Sequence, residues 1–316
     1  MADGSCPALR AGQGEARRDN GGVPPASVAV LLAAHNRVAT TLRCLEDLQF
    51  LALDGLGLEI FLVDDGSSDG TGPQVAARFP KVHLFVGDGS LYWGGGMRLV
   101  FGEALARGFD FYLLLNDDTH LHPHALEAMV RAGNAALESL GRPAIVVGSV
   151  ADPEGGGLSY GGWVARRGGL WPLSWPSWEK AAPDPVQWRE CATMNGNCVL
   201  IPAAVAERVG NLDPTFRHVG GDLDYGLRAR QAGFPVVIAP GFVGVCALNR
   251  GLPPWRDRRR SLVQRWSALR GPKGFPVAGW AAFVRRHKGP LWVIPWALPY
   301  LAFWLREVGL LLRGRP

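Results

Sequence analysis

Two clusters of carboxylates in this 316-residue chain each follow an apolar run. Asp64 and Asp65 come directly after the run LEIFLV, and Asp117 and Asp118 come after FYLLLN. Ligands of open α/β sheets bind beyond the carboxyl ends of parallel strands, so two such ends are expected to direct their acids into one crevice. Carboxylates suit Mg²⁺ or Mn²⁺, which often share their ligands with substrate phosphates. The pattern predicts a site for a divalent cation and a phosphorylated ligand. Asp64 and Asp65 could accept hydrogen bonds from the NH group of a nucleobase and from a ribose hydroxyl.

The same residue types also stabilise turns and the starts of helices, which is the structural alternative for each cluster. That alternative is favoured for Ser67, Ser68 and Asp69, which follow the first pair of acids. It fits Thr119 as a helix cap, but it does not account for Asp118.

A glycine-rich stretch, residues 87–97 (GDGSLYWGGGM), is predicted to be a loop up to Gly96, followed by a helix over 97–107. Such a loop allows backbone amides to approach phosphates, and Arg98 could add a cation. Its glycine spacing matches neither a dinucleotide fingerprint nor a P-loop, so the signal is weak when taken alone.

A third acidic segment, Gly220 to Arg230 (GGDLDYGLRAR), places Asp222 ahead of a predicted helix over 222–232. Asp222 is either a helix cap or a general base at the floor of a cleft. Asp224 and Arg228 stand four residues apart and are expected to pair along that helix.

Strands alternating with helices of ordinary length position these groups. Predicted strands cover residues 27–34, 59–63, 82–86, 111–115, 144–150, 194–201 and 235–239, and predicted helices cover 40–53, 68–79, 97–107, 123–140, 203–209 and 222–232. The first helix is expected to be capped by Thr40 or Thr41. The alternation indicates an α/β fold with a mostly parallel, Rossmann-like sheet flanked by helices. Residues 152–188, rich in Gly, Pro and Trp, are expected to be irregular or to form short hairpins.

Charge is distributed unevenly within the net +5. Residues 1–249 carry a net −7 and residues 250–316 a net +12. A basic, tryptophan-rich C-terminal region favours a phosphate or an anionic membrane surface as its partner, and no familiar nucleic-acid motif supports nucleic acid. Five cysteines without metal-ligand spacing, and no visible secretory signal, favour free thiols in the cytoplasm.

The apolar segment 291–305 is shorter than the roughly 20 residues that a membrane-spanning helix needs. Arginines flank it on both sides, and the tryptophans within and before it are typical of a membrane interface. The favoured interpretation is contact in the plane of the membrane. A helix packed in the core or in a homodimer and a true membrane span are the alternatives.

Taken in order, these segments resemble family 2 glycosyltransferases with a GT-A fold over roughly residues 27–250. Asp64-Asp65-Gly66-Ser67 is similar to the family's DDGS turn, Asn116-Asp117-Asp118 to its DXD-type motif, and Gly221-Asp222 to its ED-type motif. The segments 93–97 (WGGGM) and 194–197 (MNGN) are similar to those of bacterial rhamnosyltransferase-like members. Cys246 stands where many members carry a histidine, which leaves the metal geometry open.

The resemblance implies roles for particular residues. Asp222 would be the catalytic base and Asp118 would hold Mg²⁺ or Mn²⁺. The donor would lie against Ala34, Asn36, Arg37, Asp64, Asp65, Trp93, Gly94, Gly95, Arg98, Asn116 and Asp117. The acceptor side would include Asn195, Gly196, Gly221 and Asp224.

The implied activity is inverting transfer of a sugar, with rhamnose as the sugar of the resembling members, from a dTDP- or UDP-sugar to a polysaccharide or lipid-linked acceptor. The expected location is the inner face of a bacterial cell membrane. The expected organisation is a disordered leader (1–26), a catalytic domain with a donor half (27–150) and an acceptor half (151–250), and a helical C-terminal region (251–316). A non-catalytic nucleotide-sugar-binding membrane scaffold and a sugar-phosphate nucleotidyltransferase are the alternatives.

Overall fold

The structure is a computed structural model that describes residues 25–165 and 178–312. Residues 1–24 of the predicted leader, residues 166–177 of the irregular segment and residues 313–316 lie outside the described residues.

The first half of the chain alternates strands and helices, as the apolar pattern predicts. In chain order it consists of β1 (Ala26–Ala34), α1 (Val38–Gln49), β2 (Leu56–Asp64), α2 (Thr71–Arg78), β3 (His83–Val86), α3 (Tyr92–Arg107), β4 (Phe111–Leu115), β5 (His120–Leu121), α4 (Ala125–Leu140) and β6 (Ile145–Ala151). Short strands then replace the alternation, as expected for the irregular segment: β7 (Leu158–Tyr160), β8 (Trp163–Ala165), β9 (Trp178–Lys180) and β10 (Arg189–Cys191). β8 and β9 pair as a separate antiparallel ribbon.

The rest of the chain completes the sheet and then becomes helical. It comprises β11 (Cys198–Pro202), α5 (Ala203–Val209), α6 (Gly221–Gln231), β12 (Val236–Val245), α7 (Leu262–Arg270), α8 (Val277–Lys288), a 3-10 turn (Gly289–Leu291) and α9 (Val293–Leu312). β12 is twice as long as the predicted strand over 235–239, and its pairing with β6 is irregular between Ile238 and Gly244.

The main sheet has the order β10-β12-β6-β11-β4-β1-β2-β3, with β5 and β7 at its margins. Strands β3, β2, β1 and β4 are parallel, and β12 is parallel to β6. β11 is antiparallel to both β4 and β6, so it joins two parallel groups. The predicted α/β fold with a GT-A sheet is therefore confirmed, with antiparallel strands added in its second half.

Alternate residues of the central strands face opposite sides of the sheet, so each face has its own core. In β1, Val30 and Leu32 pack towards α1 and α4, whereas Ala29 and Leu31 pack towards α3 and α6. Because both faces are covered, the strands are continuous apolar runs rather than alternating ones.

Two helix starts differ from the prediction. Helix α1 begins at Val38, and its first amide donates to the Asp69 carboxylate at 2.9 Å, so neither Thr40 nor Thr41 is the cap. Helix α3 begins at Tyr92, five residues before the predicted start, and the glycines assigned to a loop form its first turns.

The reason for the second difference is close packing. A Cβ on Gly94 would lie 2.2 Å from the carbonyl oxygen of Phe216, and one on Gly96 would lie 3.0 Å from the side chains of Ala33 and Val63. The glycines of this stretch thus allow helix α3 to approach the sheet and the 211–220 loop closely.

Candidate active site

The carboxyl ends of β1, β2 and β4 meet at one edge of the sheet. Ala34, the last residue of β1, is in register with Asp64 of β2, and its carbonyl accepts the amide of Asp65 at 2.8 Å. After β4, the amide of Asn116 donates to the carbonyl of Asn197 at 2.9 Å, which brings the 195–197 segment to the same edge.

Asp64 and Asp65 hold the loops around this edge. Asp64 accepts backbone hydrogen bonds from Ser67 (3.1 Å) and Gly72 (2.9 Å). Asp65 accepts the backbone amide of Gly89, in the loop before α3, and that of Tyr92, the first residue of α3, both at 2.9 Å. Both carboxylates are buried. Asp64 and Asp65 therefore lie at the sheet edge, as the sequence predicts. Their hydrogen bonds are with backbone amides of the protein itself, and their role in nucleoside binding stays a prediction.

Strained backbone marks the same edge. Asn36, after β1, has φ of 51°, and Tyr92, at the start of α3, has φ of 56°. The side-chain oxygen of Asn36 accepts the amide of Ser68 at 2.8 Å, and the Tyr92 amide is held by Asp65. Left-handed conformations in residues other than glycine persist only where surrounding contacts impose them, and they are common at functional sites.

Arg37 joins the two carboxylates that follow β4. Its guanidinium donates to Asp117 at 2.8 Å and to Asp118 at 2.6 Å. Asp117 also accepts the hydroxyl of Thr41 at 3.0 Å, and its side chain is almost fully buried. Burial raises the pKa of Asp117 to about 6, although the attraction of Arg37 opposes the shift. Asp118 is about one-third exposed, so it is the acid of this pair that a ligand can reach.

The thiol of Cys246 lies 3.6 Å from the other oxygen of Asp118, at the end of β12. Burial, reinforced by Asp118, raises the pKa of Cys246 to about 12. A protonated thiol is a poor ligand for hard cations. Within residues 25–165 and 178–312, no group of three or more His, Cys, Asp or Glu side chains is arranged to hold a metal ion. The donor set fits a cation held by Asp118 together with ligand phosphates, and it does not fit an all-protein metal cage.

A chain of contacts links Asn116 to Asp222. The indole nitrogen of Trp93 donates to the side-chain oxygen of Asn116 at 2.7 Å. The same indole packs against Gly196, where a Cβ would approach its ring to 2.4 Å. The amide of Gly196 in turn donates to the Asp222 carboxylate at 3.0 Å. The acidic end of β4 and the start of α6 therefore belong to one site.

Asp222 lies in the first turn of α6, where its second oxygen accepts the amide of Leu223 at 2.8 Å. Burial raises the pKa of Asp222, and the amides of Gly196 and Leu223 oppose the shift in part. A carboxylate with a raised pKa is a stronger proton acceptor than an exposed one, as a general base requires.

Asp224 has no exposed surface and is an anchor for α6. Its carboxylate accepts from Arg228 at 2.8 Å, as predicted, and also from Arg286 (2.5 Å) and His287 (2.9 Å) of α8. Burial favours the neutral acid, but these hydrogen bonds outweigh it and lower the pKa of Asp224. The structure therefore places Asp224 in the attachment of α8 to α6, and its role on the acceptor side stays a prediction.

The remaining predicted residues are described by contacts of their own. Gly94 and Gly95 donate their amides to the Arg217 carbonyl, and Asn195 accepts the amide of Asn197. Gly221 is buried in the first turn of α6. Arg98 is exposed, and its backbone carbonyl accepts the side chain of Asn211.

Sequence reasoning missed several residues that shape the site. Asp69, taken as a local turn residue, also caps α1, and Thr41, taken as a cap, holds Asp117. His218 packs against Tyr92 in the loop before α6, with ring centroids 6.1 Å apart. Burial, with Lys273 nearby, lowers the pKa of His218 to about 4, so its imidazole is neutral at pH 7. A histidine four residues before the acidic motif was the only signal in the sequence for this contact.

The sheet order and the acids at its carboxyl edge agree with the predicted GT-A fold. Residues 29–158 match the family described as Glycosyl transferase family 2.

Known proteins give matches of modest identity. The chain is 27% identical over 226 residues, 61% of its length, to an N-acetylglucosaminyl-diphospho-decaprenol L-rhamnosyltransferase of Mycobacterium tuberculosis, 68% of which is covered. It is 33% identical over 119 residues, 36% of its length, to the succinoglycan biosynthesis protein ExoO of Rhizobium meliloti, 33% of which is covered.

Two solved structures are similar at low identity. One is S. aureus TarS 1-349, with a TM-score of 0.49 and 12% identity, over 70% of this chain and 60% of that one. The other is the mannosyltransferase PcManGT from Pyrobaculum calidifontis in complex with GDP-Man and Mn2+, with a TM-score of 0.48 and 20% identity, over 91% of this chain and 79% of that one.

Proposed function

We propose that the protein is an inverting glycosyltransferase in which Asp222 is the catalytic base. The observation that carries this proposal is the contact chain from Asn116 through Trp93 and Gly196 to Asp222. It joins the acids beyond β4, which suit the phosphate side of a donor, to a carboxylate of raised pKa on the other side of the same edge.

The reaction is a single displacement at the anomeric carbon. Asp222 accepts the proton of an acceptor hydroxyl while the hydroxyl oxygen forms a bond to the sugar carbon. The bond from that carbon to the diphosphate oxygen breaks, and the nucleoside diphosphate leaves from the opposite face. The logic matches inverting glycoside hydrolysis with an alcohol in place of water. The raised pKa of Asp222 improves the match between the base and its proton donor.

Arg37 and Asp118 form the phosphate side of the site. A divalent Mg²⁺ or Mn²⁺ held there by Asp118 and the diphosphate would neutralise charge on the leaving group. Arg37 adds a cation of its own, and its side chain is nearly half exposed, so it can turn from Asp118 towards a diphosphate. Asp117, which is held by Thr41, keeps its hydrogen bond to the other guanidinium nitrogen of Arg37 during that change.

The donor and acceptor are proposed by similarity. The Mycobacterium tuberculosis relative is named as a rhamnosyltransferase acting on a diphospho-decaprenol-linked sugar. We therefore propose a dTDP- or UDP-sugar as the donor, with rhamnose as the first to test, and a polysaccharide or lipid-linked acceptor. Asn195 and Gly196 lie next to Asp222 and are proposed to contact the acceptor.

Membrane contact through α9 is the proposed location. Among the described residues, no helix combines the length and the hydropathy that crossing a bilayer requires. One side of α9 is nonetheless apolar and exposed, at Ile294, Leu298, Leu301, Leu305 and Val308. Their spacing of three or four residues forms one stripe, as in a helix that lies in the membrane surface. If Leu301→Glu with Leu305→Glu leaves sedimentation with anionic vesicles unchanged, this location is wrong.

Asp222→Asn tests the function directly. It keeps an oxygen that can accept the Gly196 amide but removes the basic carboxylate, so we expect transfer to fall by at least two orders of magnitude. A thermal-shift screen of nucleotide-sugars with and without Mn²⁺ should show donor binding retained in Asp222→Asn, and the Mn²⁺-dependent part lost in Asp118→Asn.

Glu190→Gln, an exposed carboxylate on β10, is the matched control and should transfer as the unmodified protein does. Undiminished transfer by Asp222→Asn would refute the base assignment. Release of pyrophosphate instead of a nucleoside diphosphate would favour the nucleotidyltransferase alternative.

A further inference from the structure

An apolar cleft lies among the C-terminal helices, apart from the acids of the sheet edge. Its volume is about 360 Å³, which falls within the roughly 300–1,000 Å³ of small-molecule sites. Its apolar walls come from α7, α8, α9 and the segments that precede α7 and α8: Trp255, Leu269, Phe275, Trp280, Leu298 and Phe303.

The cleft has a neighbouring cavity close to the helix that carries Asp222. A smaller cavity of about 50 Å³ shares Phe275 and Trp280 with the cleft and extends to Gly220 and Leu223. These two residues flank Gly221 and Asp222 at the start of α6. The two cavities therefore share a wall, and the smaller one reaches the start of α6.

The cleft also carries positive charge. Arg256 and Arg306 line it, both are exposed, and within residues 25–165 and 178–312 neither forms an ion pair. The acid on the same wall, Glu307, is already bound through both oxygens by Arg265, at 2.7 and 2.5 Å. Two arginines are left facing an apolar cleft, and planar guanidinium groups suit phosphate oxygens.

The walls are fixed by specific hydrogen bonds. Pro299 lies inside α9 and has no amide to donate to the carbonyl of Pro295. The indole nitrogen of Trp280 donates to that carbonyl at 3.2 Å. The hydroxyl of Tyr300 donates to the carbonyl of Phe275 at 2.8 Å. The kink-prone helix is therefore held to α8 and to the segment before it, and the cleft exists before a ligand arrives.

We propose that this cleft binds the hydrocarbon chain of a phosphorylated lipid acceptor, with its phosphates held by Arg256 and Arg306. The inference rests on the proposed glycosyl transfer and names the acceptor class and its binding site. An apolar molecule alone has no need of two arginines, and a free nucleotide-sugar has no need of walls made of Trp, Phe and Leu. The exposed stripe of α9 borders this cleft, since Leu298 belongs to both, so a lipid can enter from the membrane surface.

A binding titration with the full chain tests the inference without catalysis. The ligands are farnesyl diphosphate, farnesol and inorganic diphosphate, followed by calorimetry. Ala302→Trp narrows the cleft, and Arg256→Gln with Arg306→Gln removes its charges. Arg285→Gln removes an exposed arginine of α8 that does not line the cleft.

We expect farnesyl diphosphate to bind more tightly than farnesol or inorganic diphosphate. The narrowed and the charge-depleted variants should each bind it about tenfold more weakly or worse, and Arg285→Gln should bind it unchanged. Equal affinity in all four proteins would overturn the inference. Inorganic diphosphate binding as tightly as farnesyl diphosphate would also overturn it, since the cleft would then be an anion site.

Transfer assays separate this inference from the proposed function. Ala302→Trp should lose transfer to a lipid-linked acceptor while keeping transfer to the same sugar without its lipid. If Asp222→Asn abolishes both transfers and Ala302→Trp changes neither, the glycosyltransferase proposal stands and the lipid site is refuted. If Asp222→Asn keeps both transfers while Ala302→Trp weakens farnesyl diphosphate binding, the cleft stands and the base assignment is refuted.

Discussion

Arg286→Met should loosen the helix that carries Asp222 without touching the active-site edge. Arg286 lies in α8 and donates to Asp224 of α6 at 2.5 Å and to Asp213 at 2.6 Å. Asp224 is fully buried, whereas Arg286 is about one-third exposed. The substitution keeps much of the apolar stem and removes the guanidinium, so it tests the ionic attachment and not the packing.

The size of the effect follows from these contacts. A hydrogen bond to a charged group contributes about 1.5–3 kcal/mol, and two are lost. The exposure of Arg286 reduces this figure, and Asp224 retains Arg228 and His287, so its charge is not left alone. We expect the free energy of unfolding to fall by about 2–3 kcal/mol. Loss of Arg286 should also raise the pKa of Asp224, which these partners lower.

The pH dependence has a definite sign. A carboxylate with a lowered pKa in the folded state stabilises the protein above its unfolded value, near 3.9, and this contribution is lost as the pH falls through the folded value. In Arg286→Met the folded pKa of Asp224 moves upwards, towards the unfolded value, so its stabilising contribution at neutral pH should be smaller and the acid-induced loss should end at a higher pH than in the unmodified protein.

Urea unfolding at neutral and acid pH, followed by tryptophan fluorescence, measures both effects, and transfer kinetics report on Asp222. We expect kcat to fall more than donor affinity, because α6 carries the proposed base and not the proposed donor-side acids. Arg285→Met, the neighbouring exposed arginine of the same helix, is the matched control. A change below about 0.5 kcal/mol together with unchanged kcat would show that α8 does not hold α6, since ordinary surface substitutions fall within that range.

Two further predictions concern the start of α3 and the base itself. Gly94→Ala should lower the free energy of unfolding by at least about 1 kcal/mol, because its Cβ would lie 2.2 Å from the Phe216 carbonyl. Gly108→Ala is the comparison in urea unfolding, since its Cβ would meet open space while its φ of 80° strains the backbone. The rate of transfer should decline at acid pH with a limb above the ordinary Asp value near 3.9, because burial raises the pKa of Asp222 and only the carboxylate accepts a proton. A limb at or below that value in the pH profile of kcat would contradict a raised pKa for Asp222.

The local sequence pattern was sufficient to predict the bounds of some helices and strands. The bounds predicted for β4 (Phe111–Leu115) and α5 (Ala203–Val209) agree with the structure. Both are apolar segments with clear stops, and the first is buried on both faces of the sheet, which produces a continuous apolar run. The position of the acids at strand ends followed from the same runs.

Contacts distant in sequence account for what the sequence did not predict. The start of α3 depends on Asp65, which accepts amides from residues 24 to 27 positions later. The state of Asp224 depends on Arg286 and His287, more than 60 positions away. From the sequence alone, the glycine-rich stretch 87–96 was predicted to be a loop and Asp224 was assigned to a binding surface. Neither prediction could include the distant residues that contact these positions in the folded protein.

The charge asymmetry of the chain has a different meaning once these partners are known. Part of the basic excess after residue 250 neutralises the acidic body, since Arg286 binds Asp213 and Asp224 across the expected domain boundary. Arg256 and Arg306 remain without an ion pair among the described residues and line the apolar cleft. Helix α8 touches both places, because its Trp280 forms a wall of the cleft and its Arg286 holds the helix of the base. A lipid seated in the cleft would thus contact the same helix that holds α6, so we expect binding of the proposed acceptor to affect the orientation of Asp222.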